Sequence, residues 1–166
     1  PILTDGGQHD ISSYVKGSDE TKKYWYILRE VESPFGYAMM EDIAFYVTGT
    51  KENVQFIQAM DMKKDVRIKV VKKDASSNDT LLKGATFTLY DKDHQIVKDK
   101  DGNDCILTTD DSGTVQFEIP YDEGYYIQET KAPRGYQLNQ AKFDVVYPEN
   151  YTFLEALVIQ DRKSVV

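Results

Sequence analysis

One twelve-residue stretch occurs twice in this chain, and that recurrence constrains the fold more than any other feature. Tyr26-Ile27-Leu28-Arg29-Glu30-Val31-Glu32-Ser33-Pro34-Phe35-Gly36-Tyr37 returns as Tyr125-Tyr126-Ile127-Gln128-Glu129-Thr130-Lys131-Ala132-Pro133-Arg134-Gly135-Tyr136. The copies share Tyr, Glu, Pro, Gly and Tyr at positions each 99 residues apart. A self-match at a fixed spacing marks tandem domains, and about 100 residues is an ordinary domain length.

Each copy reads as a strand that runs into a corner. Tyr125, Ile127 and Glu129 alternate onto one face of a segment rich in strand-forming residues. Ala132-Pro133-Arg134-Gly135 fits a type I turn, with Pro second and Gly fourth. Glu129 breaks the pattern, because it puts a carboxylate on the face that should be buried. A charge there is costly unless it is paired, protonated or used.

The 166 residues suffice for one large domain or two small ones. A net charge of −8, from 28 acidic and 20 basic residues, opposes binding to nucleic acid or to an anionic membrane. No stretch reads as a membrane span or a signal peptide. Cys105 is the single cysteine, so no disulfide forms within the chain. Twelve tyrosines, frequent Thr, Val and Ile, and no long helical apolar stripe predict an all-β fold.

In chain order, Asp5-Gly6-Gly7 predicts a hairpin turn between strands at 2–4 and 11–15. The first copy of the box follows, then alternating segments at 42–48 and 53–61. The second of these puts Asn53, Gln55, Ile57, Ala59 and Asp61 on one face. Met62-Lys63-Lys64-Asp65 is a short charged joint. From Val66 onward, strands are predicted at 66–73, 84–90, 95–97, 104–108, 114–119, 125–131, 142–147 and 152–161, with turn residues between them. Strands at this spacing predict an immunoglobulin-like sandwich. The two units are unequal. With a period near 100, the first should open about 35 residues before Pro1, so its opening strands are absent. The expected division is a truncated domain at 1–65 and a complete one at 66–166.

The second unit resembles a collagen-adhesin B-type domain, the SpaA-like prealbumin fold of Gram-positive surface adhesins and pilins. The resemblance rests on Lys72-Lys73-Asp74, on Leu82-Lys83-Gly84-Ala85-Thr86-Phe87-Thr88-Leu89-Tyr90, and on the box from Glu129 to Tyr136. Residues 1–65 resemble the rear of a second copy. The resemblance implies an internal isopeptide bond, in which a lysine of the first strand joins an Asn or Asp of the last. A glutamate on a central strand assists. Lys72, Asp161 and Glu129 match these positions, and Asp as acceptor makes water the leaving group.

The residues support this chemistry independently, since all three are polar at inward points of otherwise apolar strands. Burial favours an uncharged, nucleophilic amine and an uncharged carboxyl. Glu129 would shuttle the proton, and apolar walls would exclude water. The same three residues also suit a buried ion cluster with no covalent bond. Lys73 is adjacent to Lys72 but faces outward. In the first unit Glu30 and Asp61 hold the corresponding places without a lysine; Lys16, Lys22 and Lys23 read as solvated loop residues.

Other signals are weaker. Asp99-Lys100-Asp101-Gly102-Asn103-Asp104 has the alternation of a calcium loop, but its glycine is misplaced and a hairpin turn suits it better. Tyr147-Pro148-Glu149-Asn150 is similar to a pilin motif with Glu149 in place of its lysine, and reads as a loop. His9 and His94 are far apart in the sequence and read as surface residues, and Cys105 reads as a small strand residue. No cofactor is implied. The leading expectation is a structural stalk module of a cell-wall-anchored, extracellular adhesin or pilin, whose partners are neighbouring domains of the same or an associated surface chain. It is not an enzyme beyond one self-catalysed crosslink. The alternative is a module that binds a host protein or glycan through loops such as 91–104.

Overall fold

The computed structural model describes residues 9–13, 15, 17, 19–49, 56–77 and 79–163. The predicted hairpin at Asp5-Gly6-Gly7, Lys16, and the front of the 53–61 segment lie outside these residues. The chain divides into two compact units, Pro1–Met62 and Lys63–Val166. Every regular element among the described residues is a strand, so the chain is all-β.

In the first unit, β1 (Tyr24–Leu28) pairs antiparallel with β3 (Ile43–Val47). The two-residue β2 (Tyr37–Ala38) lies between them in sequence. Cross-strand aromatic contacts hold the ladder: Tyr26 stacks on Phe45 at 5.7 Å, and Trp25 meets Tyr46 at 5.2 Å. Arg29 also donates from Nε to Asp42 Oδ1 at 2.8 Å. The alternation at 53–61 does not produce a strand over 56–61. Alternation needs a ladder to satisfy its backbone, and Phe56 instead stands 79% exposed. The two-residue β4 (Met62–Lys63) falls at the division between units.

The second unit is a sandwich of two sheets. One orders β11 (Ala156–Lys163), β5 (Asp65–Asp74) and β8 (Thr114–Pro120). The other orders β10 (Lys142–Asp144), β9 (Tyr126–Lys131), β6 (Thr86–Tyr90) and β7 (Ile106–Thr108). The first and last strands, β5 and β11, are parallel neighbours, whereas the other pairings are antiparallel. The predicted strand at 95–97 is only bridges, Tyr90 to Ile96 and Lys98 to Asp104. β5 buries alternate residues along its whole length: Val66, Ile68, Val70, Lys72 and Asp74. Val66, Ile68 and Val70 make one apolar core, drawn from both sheets, with Phe87, Leu89, Phe117, Ile119 and Ile127. Tyr126, opposite in phase to Ile127, is also buried, stacked on Tyr90 at 5.2 Å with the Lys142 ammonium 4.4 Å from its ring centre.

The corner after the box differs from the type I turn expected from Ala132 to Gly135. The Tyr136 N–H donates to the Pro133 carbonyl at 3.1 Å, so Pro133 opens the turn, and Gly135 sits third at φ +86°. This is type II, which needs a positive φ at its third residue. The first copy has the same turn, Tyr37 N–H to Pro34 carbonyl at 3.1 Å with Gly36 at φ +86°. A Cβ on Gly135 would meet nothing within 4 Å, so the requirement is purely conformational. Gly135→Ala should therefore cost about 1–2 kcal/mol, the left-handed penalty alone, in chemical denaturation. An unchanged midpoint would rule that origin out.

Candidate functional site

β5 carries Lys72 inward because it keeps strict alternation, and the parallel register sets Lys72 directly beside Asp161 of β11. β9 brings Glu129 in from the opposite sheet, in register with the fully buried Phe87 of β6. Lys72, Glu129 and Asp161 are 0%, 2% and 1% exposed. Lys72 Nζ donates to Asp161 Oδ2 at 2.7 Å. It also lies 2.9 Å from Glu129 Oε1, but that oxygen has no contact with hydrogen-bond geometry. The short distance without directionality makes this contact an ion pair rather than a hydrogen bond.

A residue that the sequence reading missed ties the two carboxylates together. The Asn139 backbone N–H donates to Glu129 Oε2 at 2.6 Å, and its side-chain Nδ2 donates to Asp161 Oδ1 at 2.7 Å. Asn139 lies in the non-strand segment after the turn, where periodicity is silent. The signal available was its fixed offset from the box. Met40 stands at the same offset from Glu30 and donates its N–H to Glu30 Oε2 at 2.8 Å. Repetition therefore marks the backbone clamp, while Asn against Met hides the side chain that differs.

Lys73 is half-buried and opposite in phase to Lys72, and Lys22 and Lys23 are exposed. Glu30 is half-buried in the first unit. Asp61 is also half-buried and lies outside any strand; the position 99 before Asp161 is Met62. Elsewhere, the Asp99 carboxylate accepts the N–H groups of Asp101 and Asn103, each at 2.9 Å, and so closes its own hairpin turn. His94 Nδ1 lies 3.0 Å from the Tyr126 hydroxyl. Burial pushes the Cys105 thiol up to about 11, which disfavours the reactive thiolate.

The comparisons with known proteins agree with this architecture. The SpaA family model, a prealbumin-like fold domain, matches residues 66–161, more than half of the chain. The chain belongs to that family. Among solved structures it is similar to the Bacillus anthracis TIE protein, at 23% identity and a TM-score of 0.65, over 87% of this chain and 25% of that one. It is similar to BcpA, the major pilin subunit of Bacillus cereus, at 20% identity and a TM-score of 0.55, over 91% of this chain and 41% of that one. It is also similar to the group B streptococcus pilus 2b backbone protein, at 22% identity and a TM-score of 0.52, over 82% of this chain and 52% of that one. At these identities the likeness is one of fold. The chain spans about a quarter to a half of the length of these structures. No curated protein matches it. No helix among the described residues is long and apolar enough to cross a membrane.

The corner is fastened to β5 by a second polar contact. The Tyr136 hydroxyl donates to Asp74 Oδ2 at 2.9 Å, while Asp74 Oδ1 accepts the hydroxyl and N–H of Ser76. The Ser76 hydroxyl, the Ser76 N–H and then Tyr136 hold the Asp74 carboxyl below its usual range, and Asp74 in turn raises Tyr136. A lowered carboxyl stabilises the fold above its unfolded value, about 4, and that contribution fades as pH falls through the folded value. Tyr136→Phe should therefore lower the denaturation midpoint near pH 7, and the gap from wild type should narrow below about pH 4. A gap of constant size at both pH values would show that Asp74 is not the source.

Proposed function

We propose that this chain is a stalk segment of a cell-wall-anchored surface adhesin or pilin, braced by an intramolecular amide between Lys72 and Asp161. The observation that carries the reading is a fully buried amine held 2.7 Å from one carboxylate and 2.9 Å from another, at adjacent points of the first and last strands of the second unit. The pilin subunits that share the fold support the surface setting, and the expected partners are neighbouring domains of the same or an associated chain.

The chemistry needs no cofactor. The Lys72 ammonium gives one proton to Asp161 Oδ2, and the free amine attacks Cγ. Glu129 accepts a second proton from nitrogen and passes it to Oδ2, and Oδ2 leaves as water. The core walls keep out water that would reverse the step. Mechanically, tension entering the second unit at the start of β5 would run to Lys72, cross the amide and leave through the end of β11. The intervening residues would carry none of it. The crosslinked residues are 89 apart, so by the loop-entropy account used for disulfides the bond adds on the order of 4–5 kcal/mol. By the same reading, the first unit is the rear of a second such domain in which Glu30 takes the place of Glu129.

The test is the intact mass of the denatured chain. The wild type should be one water lighter than its composition, with a Lys72–Asp161 peptide pair on digestion. Lys72→Ala, Asp161→Ala and Glu129→Ala should show the full mass of their own sequences. A wild type of full mass would leave only an ion cluster.

A further inference from the structure

We infer that Asn139 is a catalytic residue of the Lys72–Asp161 condensation, supplying the hydrogen bond that holds the developing oxyanion; this rests on the crosslink proposed above. The two oxygens of Asp161 are held by different groups. Oδ2 takes the Lys72 ammonium at 2.7 Å, and Oδ1 takes the Asn139 amide at 2.7 Å. The orientation of that amide is set by its other end, since Asn139 Oδ1 accepts the Ala141 N–H at 3.1 Å. The nitrogen therefore faces Asp161, and it can only donate.

As the lone pair of Nζ forms the new bond to Cγ, the carbonyl pair moves onto Oδ1, where the Asn139 donor already waits. When the Cγ–Oδ2 bond breaks, that pair returns and Oδ1 becomes the amide oxygen. Oδ2 departs with two protons from nitrogen, so ammonium and carboxylate become amide and water with nothing else consumed. A donor preplaced where charge develops lowers the barrier without reorganisation. The same residue sets the proton shuttle. Its N–H holds Glu129 Oε2 at 2.6 Å, leaving Oε1 beside the amine at 2.9 Å. Met40 shows that the two tasks are separable, because it supplies the backbone clamp to Glu30 but has no side-chain donor. Any substitution at 139 other than proline keeps the backbone clamp on Glu129, so Asn139→Ala removes only the side-chain contacts to Asp161 and Ala141.

The experiment is pulse-labelled cell-free synthesis of the full chain, with the crosslinked fraction followed over time by intact mass at pH 6 and pH 8. Wild type, Asn139→Ala and Asn139→Asp are compared, with folding checked by circular dichroism. Asn139→Ala should condense about a hundredfold more slowly, the loss typical of one oxyanion donor. Asn139→Asp can donate only when its acid is protonated, so its rate relative to wild type should rise from pH 8 to pH 6, an effect that lost packing would not produce. Crosslinking of Asn139→Ala at the wild-type rate, or a pH profile of Asn139→Asp parallel to wild type, would overturn the role of Asn139 and leave the crosslink standing. A wild type that never loses water overturns both. Should Asn139→Ala fail to fold, the Asn139→Asp profile decides.

Discussion

A single buried amine organises the second unit. Moving Lys72 and two carboxylates out of water costs several kcal/mol per ion, and one cation cannot neutralise both acids. Only close, fixed geometry recovers that cost. The arrangement therefore demands that β5 and β11 hold one register, that β9 face them across the core, and that the segment after the corner fold back to supply Asn139. Slippage by one residue would turn Lys72 or Asp161 to the other face of its sheet. The apolar core provides the stability and places the strands, and any register that parted Lys72 from its carboxylates would leave buried charge unpaired.

The repeated box solves a local problem before it serves this larger one. Its strand delivers a glutamate to the inner face, and its type II turn reverses the chain through a glycine at positive φ. A backbone N–H ten residues beyond the glutamate then takes one carboxylate oxygen, in both copies. That clamp uses no side chain except the glutamate, which explains how it survives when the clamping residue is Asn in one copy and Met in the other. The Tyr136 contact to Asp74 adds a link from the corner to the end of the lysine-bearing strand, so the same short motif braces β5 near Lys72. Condensation of Lys72 with Asp161 would replace two buried charges by a neutral amide, which is a physical reason for a core of this kind to react rather than remain ionic.

Much of this was written in the chain itself. The period of 99, the alternation of β5, β8, β9 and β11, and the polar residues that interrupt their inward faces specified an all-β sandwich with Lys72, Glu129 and Asp161 turned inward. These are local signals, fixed by the two-residue period of a strand. Where alternation had no partner to pair with, it misled, as at 56–61. Tertiary structure alone decided that β5 and β11 lie parallel and in register, that Tyr126 is buried from its outward face by Tyr90 and Lys142, and that Pro133 begins the turn rather than occupying its second place. It also decided the part played by Asn139. No periodicity marks a residue in a non-strand segment, and its two contacts reach Glu129 on one sheet and Asp161 on the other, 10 and 22 positions away. Which polar atoms meet in a core depends on how whole strands are placed, and that placement is settled by the sum of apolar burial across both sheets, not by any one stretch of sequence.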